Sequence, residues 1–383
     1  MIERILISVA IVENKLPSHI EEILAAYDMD GMMTDWYMLK TGHINRTYVI
    51  TFNNGGKRLL QKINTNVFKQ PVELMENIVN VTDFLREKIA KEGGDITRET
   101  LKVFLTKDGK KYFLDSEGGY WRFYNFVENA FSYDAIESDE LFYRAGAAFG
   151  KFQSQLADFP IESLYETIPD FHHTYKRFLN LKKAEENNFA GRKEEVAEEL
   201  AFAFAREEDT KIVVDLIEKG EIPVRVTHND TKLNNIMFDS TTKNPICVVD
   251  LDTVMPGSAL YDFGDAIRFG ASTGAEDEKD LSKISIDLNL YEKYVNGFLS
   301  TAGKSLNKTE IEYLPFSAKL LTFECGMRFL TDYLDGDVYF GTAYPEHNLD
   351  RCRTQFKLVA DMEAKFEEMK KITESAYNNI QGV

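Results

Sequence analysis

The hydrophobic and polar positions change period twice along the chain. Residues 12–28 carry helical spacing. The stretch WYMLKTGHINRTYVITFNNGGKRLLQKIN (36–64) instead breaks into short apolar runs, which predict strand, glycine-containing bend, strand, turn, strand. NNGG is the turn signal between the last two. A helix is expected over 71–90, with Val72, Met75, Val79, Phe84 and Leu85 on its apolar face and a stop before EGG. KDGK and SEGG then divide LKVFLTKDGKKYFLDSEGGYWRFYNFV into three further strands. One helix in an antiparallel meander makes a small α+β unit over residues 1–127.

From 128 to 383 the period becomes helical, over 138–157, 171–188 and 193–219. Two short strands interrupt it at 235–239 and 246–251, and helices return at 287–300, 308–335 and 351–379. The acidic run EDEKD (276–280) reads as a solvated loop. The expected architecture is therefore a small sheet unit followed by a mainly helical one.

Composition narrows what these units can do. With 383 residues, 44% of them hydrophobic, the chain can fill two cores. A net charge of -18 argues against a basic face for nucleic acid, although Lys40, Arg46, Lys57, Arg58 and Lys62 gather near the start. Cys247, Cys325 and Cys352 have no metal-like spacing and read as reduced thiols of a cytoplasmic protein. ILISVAIV lacks a small-x-small cleavage site behind it, so it reads as buried structure. No apolar run reaches the ~18 residues a membrane helix needs.

The chemistry concentrates in RVTHNDTKLNNIMFD (225–239), where polar residues crowd the entrance to a strand. NNIMFDSTTKNPICVVDLD reads as a β-hairpin. A turn centred between Thr242 and Lys243 sets Cys247 against Phe238, Val249 against Ile236 and Asp250 against Asn235. Directly paired residues lie about 5 Å apart, so an amide oxygen and a carboxylate meet at the open end. Asp252 shares their strand face if the strand runs that far. Such hard oxygen donors suit magnesium, which takes few protein groups plus substrate phosphates. Asp230, upstream of Asn235, is then free to accept a hydroxyl proton, the division of labour in a kinase catalytic loop. An Asx-rich turn capped by its own side chains is the alternative, but it does not explain Asp250 and Asp252 ending an apolar strand.

These residues resemble a known family. HNDTKLNNI matches the H-x-D-x-x-x-x-N loop of the aminoglycoside and choline kinase-like phosphotransferases, and VVDLDTVMPGSALYDFGD resembles the metal-binding segment that follows it. The resemblance is closer still to the bacterial N-acetylhexosamine 1-kinases of that family. GHINRTYVI, WRFYNFVENAFSY, DLDTVMPGSALYDFGDAIRFGAST, ECGMRFLTDYLDGDVYF and YPEHNLDRCRTQ carry that likeness over nearly the whole chain. The resemblance implies a two-lobed protein-kinase-like fold, with a small antiparallel-sheet N-lobe, a mainly helical C-lobe and ATP between them. It implies transfer of the γ-phosphoryl group of ATP, with magnesium (Mg2+), to the anomeric hydroxyl of N-acetylglucosamine or N-acetylgalactosamine. Asp230 becomes the base, Asn235 and Asp250 the metal ligands, and the backbone from Phe126 to Glu128 the adenine-recognising hinge. His228 and Asp262 become supports of the catalytic loop.

Some positions keep two readings. The strand lysine of the family aligns with Gln61, and Lys62 is one residue off, on the opposite face. Glu73 and Glu76 could resemble the helix glutamate of a kinase ion pair, but read better as solvated carboxylates. Arg328 lies off the stripe of Leu320, Phe323, Met327, Leu330 and Leu334 and four residues from both Glu324 and Asp332, which suggests a surface ion-pair ladder. The resemblance instead places His43, Arg328 and Tyr339 in the sugar site. Kinases for another hexose or another small hydroxylated acceptor, and a nucleotide-binding pseudokinase, are the rival functions. The expected partners are an amino sugar and ATP, with no nucleic acid and no membrane.

Overall fold

The computed structural model describes residues 17–29, 31–39 and 44–382. The chain divides into two compact units, one of residues up to Ala130 with Glu162–Ile168, the other of Phe131–Ile161 and Pro169–Val383. His43 and residues 12–16 of the first expected helix lie outside the described residues.

In the first unit a short helix α1 (Ile20–Ala25) leads to strands β1 (Met33–Met38), β2 (Arg46–Phe52) and β3 (Lys57–Lys62). Helix α2 (Pro71–Glu92) follows, then β4 (Val103–Phe104), β5 (Phe113–Leu114) and β6 (Tyr120–Asn125). The strands form one antiparallel sheet in the order β1-β2-β3-β6-β4, with β5 also on β6. Ile20 and Ile23 pack with Tyr48, Ile50, Leu60, Trp121 and Phe123 beneath the sheet. Helix α2 begins with Pro71, which needs no amide partner there, and ends at Gly93, whose φ of 77° a side chain would strain. Its buried face runs through Leu74, Met75, Ile78, Val79, Val81, Leu85 and Ile89, which includes the expected Met75, Val79 and Leu85; Val72 is exposed and Phe84 half-buried.

The second unit starts near β7 (Ala130–Phe131) and continues with helices α3 (Asp139–Gln155), α4 (Thr174–Asn187), α5 (Ala197–Phe204) and α6 (Ile212–Glu218). Four strands follow: β8 (Arg225–Thr227), β9 (Ile236–Asp239), β10 (Pro245–Val248) and β11 (Met255–Gly257). Helices α7 (Ala259–Gly270), α8 (Leu288–Ala302), α9 (Lys308–Asp335), α10 (His347–Ala364) and α11 (Phe366–Gln381) complete it. Helices α3 and α8 cross closely, because a side chain at Gly146 would bring its Cβ within 2.5 Å of the Tyr294 carbonyl oxygen. No helix among the described residues is long and apolar enough to cross a membrane.

Three expected elements differ. The helix expected over 193–219 is broken: Arg206 turns its guanidinium onto Phe202 and binds Glu363 through Nε (3.0 Å) and Nη2 (2.7 Å), docking the chain there instead of continuing the helix. The helix expected over 351–379 starts earlier and splits at Lys365, whose Nζ bonds Asp361 (2.8 Å) and Ser285 (2.7 Å). Helix α7 was not expected at all. Its two glycines and two aspartates are poor helix formers, and ten of its twelve residues are buried, which erases the polar face that periodicity detects.

Candidate active site

The polar loop is built on β8, which pairs with β11 so that Thr227 faces Met255. Beyond Thr227 the chain turns sharply, with Asn229 in the left-handed region (φ 63°), and its backbone is held from α7. The Asp262 carboxylate accepts the amides of His228 (3.0 Å) and Asn229 (2.8 Å) and the side-chain amide of Gln153 (2.6 Å). Asp265, one turn on, accepts the Thr231 amide (3.0 Å). The Thr231 hydroxyl donates to the Asp262 carbonyl (2.6 Å) and that of Thr253 to the His228 carbonyl (2.6 Å). Burial pushes the Asp262 carboxyl up, against the His228 ring and the backbone donors. Burial acts the same way on Asp265, but Arg268 and then Lys232 hold it below the usual carboxylate range.

His228 is wholly buried, with its ring near Phe149 and Phe152. Its Nε2 lies 2.9 Å from the Val249 carbonyl, which only accepts, so Nε2 carries the hydrogen. Nδ1 then accepts the Asp230 amide at 3.3 Å. Neither ring nitrogen remains for proton abstraction.

Asp230 itself is partly exposed. One carboxylate oxygen lies 2.8 Å from Lys232 Nζ and the other accepts the Asn235 amide at 3.1 Å. Burial opposes the charge on Lys232, but Asp230 raises its ammonium above the ordinary value. Asn235 also donates to the Asp230 carbonyl (2.8 Å). Its amide nitrogen is thereby turned to Asp230, and its amide oxygen points the other way.

The hairpin forms one residue out of the expected register. Val248 faces Ile236, Cys247 faces Met237, and the Val249 amide donates to the Asn235 carbonyl (2.9 Å). The cause is Asp239, whose carboxylate accepts the amides of Thr241 (2.9 Å) and Thr242 (2.7 Å) and starts the turn early. A bulge between Pro245 and Cys247 recovers one step of the two. Val249 therefore stands beside Asn235, and exposed Asp250 leaves the strand in the left-handed conformation (φ 59°, ψ 58°). A non-glycine residue there is strained, a feature common at ligand-binding positions. Asp252 sits buried in the following turn, not on the strand face expected for it.

In the first unit, Phe126 follows β6 under Lys57 Nζ (5.2 Å from the ring centre), and the Glu128 carbonyl accepts Arg98 Nε (3.1 Å). Lys62 faces Asp115 and Trp121. Gln61, on the other face, donates to the Thr47 hydroxyl (2.9 Å) and accepts Nε of Arg122 (2.9 Å) from β6. A buried guanidinium thus stands beside the strand position where a lysine was sought. Sequence reading missed it, because the partner lies across strands and only the register reveals it. Glu76 pairs with Lys111 instead of being simply solvated.

The ladder expected around Arg328 is absent, because both carboxylates are engaged elsewhere. Glu324 is buried and bound by His172 Nδ1 (2.7 Å) and the Thr174 hydroxyl (2.6 Å). Asp332 accepts the amides of Val338 (2.9 Å), Tyr339 (2.7 Å) and Phe340 (2.9 Å) and the Asn348 side chain (2.9 Å), fixing the loop after α9. The Arg328 guanidinium instead lies among Phe171, Tyr339 and Phe340, 5.6, 5.9 and 5.4 Å from their ring centres. Tyr339 is 68% exposed. Thr231 bonds Asp265, and Asp265 holds Arg268. Burial pushes the Cys325 thiol up to about 11, so it is neutral. EDEKD is also more than solvated, since Glu276 bonds Arg268 (3.0 Å).

Among known proteins, the model of the phosphotransferase enzyme family matches residues 38–285. The fold is similar to that of a microcompartment-associated aminopropanol kinase (TM-score 0.59, 17% identity, 92% of this chain and 98% of the other). It also resembles an amicoumacin kinase solved with AMP-PNP and calcium (0.56, 13%, 89% and 93%). A third likeness is to a choline kinase from Cryptosporidium parvum (0.50, 14%, 88% and 91%).

Proposed function

This chain belongs to the phosphotransferase enzyme family, and from that premise we propose that it phosphorylates the anomeric hydroxyl of an N-acetylhexosamine with ATP. The observation that carries the acceptor is the Arg328 bay. Its guanidinium faces aromatic rings, while the two carboxylates within one helical turn are bound to other donors. Such a site suits a neutral, oxygen-rich ligand: arginine donates to hydroxyl or acetamido oxygens, and the exposed Tyr339 ring offers an apolar face. Arg177 donates to the Phe171 carbonyl, so a second guanidinium stands at the residue whose ring lies under Arg328, an arrangement better suited to a neutral acceptor than to a cation. His43 is proposed as a third contact on the family resemblance alone.

Transfer needs positioning and charge stabilisation more than covalent chemistry. Asp230 orients the acceptor hydroxyl and takes its proton as the oxygen attacks the γ-phosphorus; the O–P bond to ADP breaks in line. An anomeric hydroxyl is more acidic than an ordinary alcohol, so a carboxylate serves as its base. Lys232, beside Asp230, keeps that carboxylate placed and adds positive charge near the transferring group. Backbone of the Phe126–Glu128 segment is the proposed adenine contact.

The donor set at the hairpin mouth fits magnesium. Asn235 turns its amide nitrogen to Asp230, leaving its oxygen on the side away from that carboxylate, and Asp250 is an exposed carboxylate one residue beyond the Val249–Asn235 bond. Two oxygen ligands plus phosphates is the usual protein share for this ion. Bound there, it would neutralise phosphoryl charge. His228 and Asp262 keep the loop in place without touching the reacting atoms.

Arg328→Met tests the acceptor site. It keeps most of the aliphatic stem and removes the guanidinium. We expect kcat/KM for the N-acetylhexosamine to fall at least ~10-fold, with ATP affinity by titration near parental. Parental sugar kinetics in a folded variant would remove Arg328 from the site.

A further inference from the structure

Glu324 and its partners form a buried polar cluster for which the catalytic account has no use. His172 is 8% exposed and packs against Phe171 (ring centres 4.6 Å apart) and Tyr261 (5.3 Å). Its Nδ1 lies 2.7 Å from Glu324, whose other oxygen accepts the Thr174 hydroxyl. Burial opposes the charge on Glu324, but His172 and Thr174 hold its carboxyl below the ordinary range, so it is an acceptor and Nδ1 is the donor. The second ring nitrogen, Nε2, is buried and has no hydrogen-bond partner among the described residues. Buried polar atoms of native proteins are almost always paired, so one left over asks for a ligand or a water.

The surroundings say which ligand. Glu324 lies one turn from Arg328 on the same helix, and Phe171, the neighbour of His172, is also the ring beneath the Arg328 guanidinium. Arg177 donates through Nε (3.1 Å) and Nη2 (2.8 Å) to the Phe171 carbonyl, so its guanidinium is anchored at the same residue. The ring of His172 also packs on Tyr261 of α7, the helix whose Asp262 and Asp265 hold the catalytic loop. His172 therefore touches both a ring of the bay and the helix that carries the catalytic loop.

We infer that His172 is a substrate-binding residue, held by Glu324 so that Nε2 meets a hydroxyl of the bound acceptor. A sugar hydroxyl both donates and accepts, so the contact forms whether or not Nε2 carries a proton. Glu324 is the positioning residue, acting only through the ring. The inference rests on the acceptor reading above, and it adds a polar contact to the described part of that site, an arginine and aromatic rings. An acceptor lacking the matching hydroxyl would leave Nε2 buried and unpaired, which makes His172 a selector among sugars.

Two substitutions separate binding from bracing. Asparagine places its amide near Nδ1 and can keep the bond to Glu324, but has nothing at Nε2. Glutamine reaches toward Nε2 and loses the Nδ1 contact. With N-acetylglucosamine, N-acetylgalactosamine and Mg·ATP, His172→Asn should raise the acceptor KM by at least ~10-fold. Its ATP KM and Tm should stay near parental. His172→Gln should recover several-fold of the acceptor KM despite a lower Tm. Parental acceptor KM in the Asn variant overturns the inference, as does a defect in both variants that tracks Tm alone. If the parent enzyme instead phosphorylates another hydroxylated compound, the N-acetylhexosamine assignment fails, and the same comparison on that compound decides His172.

Discussion

Asp230→Asn should lower kcat by about 10²- to 10⁴-fold while leaving ATP and acceptor binding close to parental. Asparagine matches aspartate in size and can still meet the Asn235 side chain, so the loop should keep its shape. What it loses is the site for the proton of the acceptor hydroxyl and the anionic partner of Lys232. His228 cannot substitute, because its two nitrogens are occupied by the Val249 carbonyl and the Asp230 amide. ADP release at saturating substrates, with both ligands titrated separately, checks this. A kcat within about threefold of parental removes Asp230 as the base.

Asp262→Ala should damage both stability and turnover. Its carboxylate is 1% exposed and is the hydrogen-bond partner of the His228 and Asn229 amides and of Gln153. Each buried donor left unpaired costs about 1–3 kcal/mol, so two or more place this variant among the severe single substitutions. Because these amides flank Asp230, the surviving folded fraction should also lose at least ~10²-fold in kcat through misplacement of the base. Denaturant unfolding reads the first effect, and turnover well below the transition reads the second. An Ala variant of parental stability would show that the loop holds its shape without α7.

Most of the architecture could be read from periodicity and punctuation. NNGG set the turn between β2 and β3. Helix α9 runs from Lys308 to Asp335 as expected, because Asn307 and Glu310 form a capping box at its start and Gly336 (φ 98°) closes it. Helix α7 escaped because almost complete burial leaves no polar stripe. The catalytic loop was legible as a spacing, Asp230 to Asn235, but the hairpin beyond it slipped by one residue. An Asx turn at Asp239 and a bulge near Ile246 are side-chain and backbone choices that alternation does not encode. Arg328 was harder. Spacing offered it two helix carboxylates, and both are claimed from afar: Glu324 by His172, 152 residues earlier, and Asp332 by the backbone of a loop. His172 itself carried no local signal, since its distant partners come from α7 and α9.

The most direct test of the proposed reaction is a panel of free sugars and small alcohols incubated with Mg·ATP, with ADP release measured and the new phosphate located by phosphorus–proton NMR. The account predicts turnover of N-acetylglucosamine or N-acetylgalactosamine, with phosphate on the anomeric oxygen. Phosphate on another hydroxyl, or turnover confined to cationic alcohols, would contradict it.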